Sequence, residues 1–368
     1  MRIGIPKEIK NRENRVAITP SGVYALVQDG HEVIIETQAG IGSAIKDEDY
    51  IEQGAQIVNS PKEAWDVDMV IKVKEPLQEE YQYFREDLIL FTYLHLANDK
   101  KLAEELLEKK VTSIAYEMIG TELYHPLLQP MSQVAGKMAT ILGAEFLQSQ
   151  NGGSGVLVGG IPGVEKGKVT IIGGGNVGIN AVKMAVGLGA RVTVLETSLE
   201  RMAELENIFG NEIDTKASNP KNIHDAVIDS DLVIGAVLLG GGRKAPTLVF
   251  EDTVKQMRPG SVIVDVAVDQ GGIFETIDEV TNHDNPTYVK HGVIHYAVAN
   301  IPGAVAQTAT YGLTNATMPY AQAIAKGNLE NLFATRPDIK IGVNTYKGHF
   351  TSQLLSTDLG IEYSDILG

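Results

Sequence analysis

Four side chains sit where strand-like runs end, the edge of an open α/β sheet at which ligands bind. Arg15 closes the loop Asn11-Arg12-Glu13-Asn14-Arg15 after the first run, and Lys74 follows Met69-Val70-Ile71-Lys72-Val73. His95 follows Phe91-Thr92-Tyr93-Leu94, and Asp269 stands between Val266-Ala267-Val268 and Gln270-Gly271-Gly272. Together they suit hydride removal from a small amine or alcohol that carries a carboxylate. Arg15 and Lys74 can fix the carboxylate, and His95, with an ordinary pKa of about 6.5, can take the heteroatom proton. Asp269 can orient a water or steady a cationic intermediate. Each also has a plainer reading: Lys74 as a solvated strand-end charge, His95 as a satisfied histidine at a sheet edge, Asp269 as a turn former, and Arg15 as one of several surface charges. Spacing alone leaves both sets open. The other histidines are not read as a metal-ligand set, and no metal is expected.

A redox reading needs an element that holds the hydride acceptor, and one stretch supplies it. Val169-Thr170-Ile171-Ile172 runs into Gly173-Gly174-Gly175-Asn176-Val177-Gly178. A helical pattern follows, and Arg191-Val192-Thr193-Val194-Leu195 then ends in Glu196. That is the order of a βαβ dinucleotide-binding unit. Gly173 permits the tight turn, Gly175 lets backbone N–H groups approach a pyrophosphate, and Gly178 lets helix and strand pack closely. Glu196 is placed to accept from the ribose hydroxyls and to repel a 2′-phosphate, which favours NAD over NADP.

The chain has 368 residues, enough for about two domains, and no cysteine, which excludes disulfides, thiolate nucleophiles and Cys-ligated metals. A formal net charge of −16 argues against a nucleic-acid partner. The N-terminus, Met1-Arg2-Ile3-Gly4-Ile5-Pro6-Lys7-Glu8, has no signal-peptide core, and no uncharged apolar run is long enough to span a bilayer, so a soluble cytoplasmic protein is expected.

Short β-type runs alternate with helical patterns over the first third, at Ile3–Ile5, Val33–Glu36, Met69–Val73, Leu88–Thr92 and Ser113–Tyr116. Thr19-Pro20 opens one helix and Asp29-Gly30 ends it. Ser132 to Gln148 reads as a long connecting helix, and Ala306 to Lys326 as another that crosses back over the first domain. Further runs at Ile213, Leu232–Val237, Val262–Val266 and Tyr296–Val298 continue the nucleotide domain. The expected fold is α/β, with two Rossmann-like doubly wound parallel-sheet domains and a cleft between them. The substrate domain takes residues 1–128 plus 305–368, and the NAD-binding domain 129–304.

The sequence closely resembles bacterial alanine dehydrogenases nearly end to end. The resemblance is carried by Gly4-Ile5-Pro6-Lys7-Glu8, Asn14-Arg15-Val16-Ala17, Val73-Lys74-Glu75-Pro76, Tyr93-Leu94-His95-Leu96-Ala97 and Pro130-Met131-Ser132-Gln133-Val134-Ala135-Gly136. Asp265-Val266-Ala267-Val268-Asp269-Gln270-Gly271-Gly272 and Asn315-Ala316-Thr317-Met318-Pro319-Tyr320 add to it. It implies NAD-dependent oxidation of L-alanine to pyruvate and ammonium by a homohexamer. By resemblance Arg15 and Lys74 bind the substrate, His95 is the acid/base and Asp269 completes catalysis. Ser132, Glu196, Arg201 and Ser218 match cofactor-contacting positions, as do Val237 and Leu238, the run Val266, Ala267, Val268 and Asp269, and the run Val298, Ala299 and Asn300. At position 196 relatives often carry Asp; the longer Glu keeps the ribose contact within reach. Two further families share this architecture, the NAD-binding hydride-donor subunit of proton-translocating transhydrogenases and saccharopine-type reductases. An amino-acid panel separates the three.

Overall fold

The structure is a computed structural model that describes residues 1–121, 124–237, 245–268 and 271–367. The chain divides into two compact units, Met1–Met131 with Val305–Gly368, and Ser132–Ala304. No helix among the described residues is long and apolar enough to cross a membrane.

The first unit is built on strands β1 (Arg2–Ile5), β2 (Glu32–Glu36), β3 (Gln56–Val58), β4 (Met69–Ile71), β5 (Ile89–Thr92) and β6 (Thr112–Ala115). The second carries β7 (Lys168–Ile172), β8 (Arg191–Glu196), β9 (Ile213–Ala217), β10 (Leu232–Gly235), β11 (Val262–Asp265), β12 (Thr287–Lys290) and β13 (Val293–Tyr296), and the C-terminal segment returns β14 (Val343–Tyr346) and β15 (His349–Phe350) to the first. The eight-stranded sheet runs β15-β14-β6-β5-β4-β1-β2-β3 and the seven-stranded sheet β12-β13-β11-β10-β7-β8-β9. In each, successive strands step outward one way from the first strand and then the other way, so a topological switch point lies between β1 and β4, and between β7 and β10. Both sheets are parallel-dominated, as expected, with antiparallel strands at their edges. β14 pairs antiparallel with β6 and β15, and β12 antiparallel with β13. The β12–β13 and β14–β15 pairs are hairpins with tight turns and need no crossover helix, whereas β14 reaches β6 from the distant C-terminal segment.

Buried parallel strands explain the near-continuous apolar runs. In the second sheet Val169, Ile171, Leu232, Ile234, Val262 and Val264 enter one hydrophobic core, and Ile172, Val233 and Ile263 enter another. Alternate residues thus feed opposite faces, and neither face is left to water.

Helix starts follow local chemistry. Thr19 caps Pro20–Gln28, its side chain accepting from Gly22 N, with Pro20 where its missing N–H has no partner to lose. The long connecting helix spans Gln129–Phe146, three residues earlier than Ser132, because Pro130 is accommodated in its first turn rather than ending the pattern. Ala306–Ala325 belongs to the first unit, where Thr310 Oγ1 accepts from Val16 N at 3.1 Å and lies 2.8 Å from Ser43 Oγ. The run expected at Tyr296–Val298 begins earlier, as β13, and Val298 instead bridges to Thr281.

Candidate active site

In the first unit β5, β4 and β1 are parallel neighbours, so the loops after them emerge side by side and bring His95, Lys74 and Arg15 to one edge. Asp269, like Leu238, lies outside the described residues.

Arg15 is not a surface charge: it is 2% exposed. Its Nε and Nη2 donate to the two oxygens of Glu13 at 2.7 and 2.6 Å, and Nη1 is directed at Met131 Sδ, 3.1 Å away. The bidentate pair takes one edge of the guanidinium and so fixes the orientation of the rest. Burial works against the Glu13 carboxylate, yet the Arg15 hydrogen bonds and charge outweigh it and hold its pKa below the usual range.

Lys74 is half-buried. Burial, reinforced by the Arg15 and Lys10 charges, holds its ammonium below the ordinary lysine pKa, against the pull of Glu75 and Glu13. Its loop is pinned from below. Glu8 Oε1 accepts from Val73 N at 2.6 Å and Lys74 N at 3.3 Å, and Glu80 Oε2 accepts from Leu77 N at 2.8 Å. Glu8 and Glu80 share one fully buried ammonium, Lys72 Nζ, at 3.0 and 2.8 Å. Burial raises the Glu8 pKa; it opposes the Lys72 charge too, but the two carboxylates outweigh it.

His95 adopts a left-handed backbone, φ 50°, which costs a non-glycine residue about 1–2 kcal/mol. Glu117 holds the turn by accepting from His95 N at 2.6 Å and Leu94 N at 3.2 Å. The ring stacks on Tyr93, with centroids 5.7 Å apart, and the Tyr93 hydroxyl donates to Leu127 O. His95 Nδ1 lies 3.0 Å from Glu75 Oε2. Burial disfavours the Glu75 carboxylate, but the His95 hydrogen bond and the Lys74, His95 and Lys10 charges hold its pKa well below the usual range. An ionised carboxylate only accepts, so Nδ1 carries the proton and Nε2 is the nitrogen left for acid/base work.

In the second unit β7 passes through Gly173, Gly174 and Gly175 into the helix Asn176–Gly187, whose N-terminus has no side-chain cap. Gly173 has φ +101°, and a Cβ on Gly178 would lie 1.9 Å from Gly173 O. A Cβ on Gly175 would meet nothing within 4 Å, so its backbone faces open space, as an incoming diphosphate requires. Glu196 Oε2 accepts from Gly174 N at 2.8 Å, and Oε1 from Thr197 N and Ser198 N. Burial notwithstanding, these amides hold its pKa low and the carboxylate charged. Arg201 Nε donates to Gly174 O at 2.7 Å, and Ser218 N to Glu196 O. These contacts fit a dinucleotide: an N-terminal helix turn for phosphates and a fixed acid at the tip of β8.

The remaining candidates sit past other strand ends of the same sheet. Val237 follows β10; Val266, Ala267 and Val268 follow β11; Val298, Ala299 and Asn300 follow β13. Ser132 lies in the first turns of Gln129–Phe146, a helix that approaches the glycine turn closely, since a Cβ on Gly136 would lie 2.1 Å from Val177 O. The fully buried Asp265 shapes the loop after β11 by accepting from Ala267 N at 2.9 Å and Ile273 N at 2.8 Å.

Sequence reasoning missed Glu8, Glu13, Glu75, Glu80, Glu117, Lys72 and Asp265. One signal was present: a lysine inside the apolar run Met69–Val73 demands a buried partner.

Two family profiles cover nearly the whole chain, the alanine dehydrogenase/PNT N-terminal domain over residues 4–135 and its C-terminal domain over 139–353. The chain belongs to the alanine dehydrogenase/PNT family. It is 59% identical over 367 residues to an alanine dehydrogenase of Staphylococcus epidermidis, covering 100% of this chain and 99% of that one. It is 57% identical over 367 residues to alanine dehydrogenase 2 of Staphylococcus aureus, covering 100% and 98%. A solved L-alanine dehydrogenase superposes with a TM-score of 0.95 at 50% identity, covering 98% of this chain and 99% of that one. A transhydrogenase from Sinorhizobium meliloti shares the fold at 23% identity, with a TM-score of 0.83 and coverage of 96% and 99%.

Proposed function

We propose that the protein is an NAD-dependent L-alanine dehydrogenase that converts L-alanine, NAD and water reversibly to pyruvate, ammonium and NADH. The observation that supports it most is the convergence of Arg15, Lys74 and the Glu75-paired His95 at adjacent strand ends of the first unit, in a family member that also carries a glycine-turn βαβ unit. NAD, when bound, supplies the hydride acceptor at nicotinamide C4. Gly173, Gly175 and Gly178 shape the turn that would hold its diphosphate, and Glu196 the ribose. Ser132, Arg201, Ser218, Val237, Leu238, Val266 to Asp269 and Val298 to Asn300 complete the proposed cofactor contacts.

Arg15, already oriented by Glu13, and Lys74 hold the substrate carboxylate, so that the α-carbon is presented in one orientation. His95 Nε2 accepts the amine proton and passes it to solvent, which leaves Nε2 free again before water adds. Loss of hydride leaves the substrate as an iminium; water adds to it, giving up a proton to His95, while Asp269 steadies the positive charge. The carbinolamine collapses to pyruvate and ammonium, the nitrogen leaving with the proton that His95 returns. Assembly as a homohexamer in the cytoplasm belongs to the same proposal, supported by the family resemblance.

The test is NADH formation from NAD with a panel of amino acids. L-alanine alone is expected to react quickly, and His95→Ala is expected to lower turnover about 10²- to 10⁴-fold with NADH binding retained. No activity on alanine, or a clear preference for a large amino acid, would overturn the reading.

A further inference from the structure

Three loops meet at one carboxylate. Glu75, from the loop after β4, accepts from Lys10 Nζ of the loop after β1 through Oε1, and faces His95 Nδ1 of the loop after β5 through Oε2. The Glu75 side chain is 13% exposed and that of His95 39%, so water reaches the ring more readily than the carboxylate behind it.

Both members of this dyad are fixed by backbone contacts. Glu75 sits between Lys74 N, held by Glu8, and Leu77 N, held by Glu80, and it precedes Pro76, which biases it toward extended backbone. His95 is fixed by Glu117 at its N–H and by the Tyr93 ring against its face. A half-exposed Lys10–Glu75 pair contributes little to folding, so stability does not account for an acid anchored with this care beside the ring.

We propose that Glu75 is a positioning residue for His95: its carboxylate accepts Nδ1–H, fixes the tautomer that presents Nε2 to the substrate, and stabilises the imidazolium formed when Nε2 takes a proton. The proposal rests on the reading of His95 as the acid/base. The other charged groups around the dyad divide by sign. Lys10 and Lys74 are the cations that act on Glu75, and Arg15 acts on Lys74. Glu13 and Glu8 are engaged with Arg15 and Lys72, and Glu117 accepts from backbone N–H groups. Glu75 is therefore the carboxylate in contact with the ring, and it offsets Lys10 and Lys74.

The experiment is the pH dependence of kcat/KM for alanine oxidation in the wild type, Glu75→Gln, Glu75→Asp, Lys10→Met and His95→Ala, with NADH affinity measured in each. Glu75→Gln removes the negative charge and lets the amide bond either tautomer. It is expected to lower kcat about 10- to 100-fold and to move the acid limb to lower pH by about one unit or more, with NADH affinity unchanged. Lys10→Met removes a cation instead and moves the limb the other way by a smaller amount, while Glu75→Asp keeps the charge and leaves the limb near the wild-type position. An acid limb unmoved in Glu75→Gln overturns the proposal whatever happens to kcat. Should Glu75→Gln not fold, an unmoved limb in Lys10→Met overturns it. Near-normal turnover in His95→Ala would instead sink the reading of His95, and the two failures are thereby told apart.

Discussion

The first sheet's switch point lies between β4 and β1, and the second sheet's between β10 and β7, yet the two are filled in opposite ways. β7 passes through three consecutive glycines straight into the helix at Asn176. Side chains have been removed there so that backbone N–H groups can face an anion. β1 ends at Ile5 and no α-helix begins until Pro20; the long loop between them carries Glu8, Lys10, Glu13 and Arg15. Backbone N–H groups at the neighbouring strand end are already occupied by Glu8. One frame thus yields a phosphate turn when its switch point is stripped to backbone, and a charged side-chain site when it is filled with carboxylates that aim cations.

The largest effect separating the two designs is expected at Lys72. Lys72→Met leaves Glu8 and Glu80 buried without their shared cation, a change that costs about 3–5 kcal/mol. The loss should fall on the first unit alone: amides of β4 lose protection in native-state hydrogen exchange while those of β7 keep it. Adding Glu8→Gln and Glu80→Gln removes the stranded charges but retains amide oxygens for Val73 N and Leu77 N, so much of the loss should return. Equal loss of protection in both units would break the distinction.

The same contrast governs what the sequence discloses. The βαβ turn is contiguous, and each glycine answers a local demand, so strand, helix and acid stand in one readable line. The first unit's site is assembled from loops far apart in the chain, and its supporting acids carry no spacing signal. Arg15 among Arg12, Glu13 and Asn14 resembles a surface loop, although its guanidinium is buried against Glu13. Lys72 inside an apolar run was the clue to a buried acid but does not say which one. β14 also escaped, because its partner β6 lies far back in the sequence and its antiparallel pairing obeys no local alternation.

Next in size is Gly178→Ala. Its Cβ would lie 1.9 Å from Gly173 O, and because that neighbour is backbone, the turn itself must shift. Such overpacking costs about 1–3 kcal/mol, expected as a loss of NADH affinity in fluorescence titration of roughly 5- to 150-fold, with the hydrogen-exchange protection of β1 and β4 unchanged. An unchanged NADH affinity would show that the close helix–strand approach does not shape the cofactor turn.

The smallest expected effect concerns Glu196, which shows that the glycine turn is not backbone alone. Its Oε2 accepts from Gly174 N and its Oε1 from Thr197 N and Ser198 N, so its charge is anchored at the tip of β8, the position proposed for the ribose contact. Glu196→Gln keeps one oxygen to accept from an amide but removes the charge that repels a 2′-phosphate, and it leaves Arg201, bound to Gly174 O, unopposed by that carboxylate. A unit charge about 4 Å away is worth roughly 1 kcal/mol in water, so kcat/KM with NADP relative to NAD should rise about fivefold. A fall in activity with both cofactors and no change in their ratio would mean that Glu196 serves to shape the turn, and that cofactor choice lies with other residues of the second sheet.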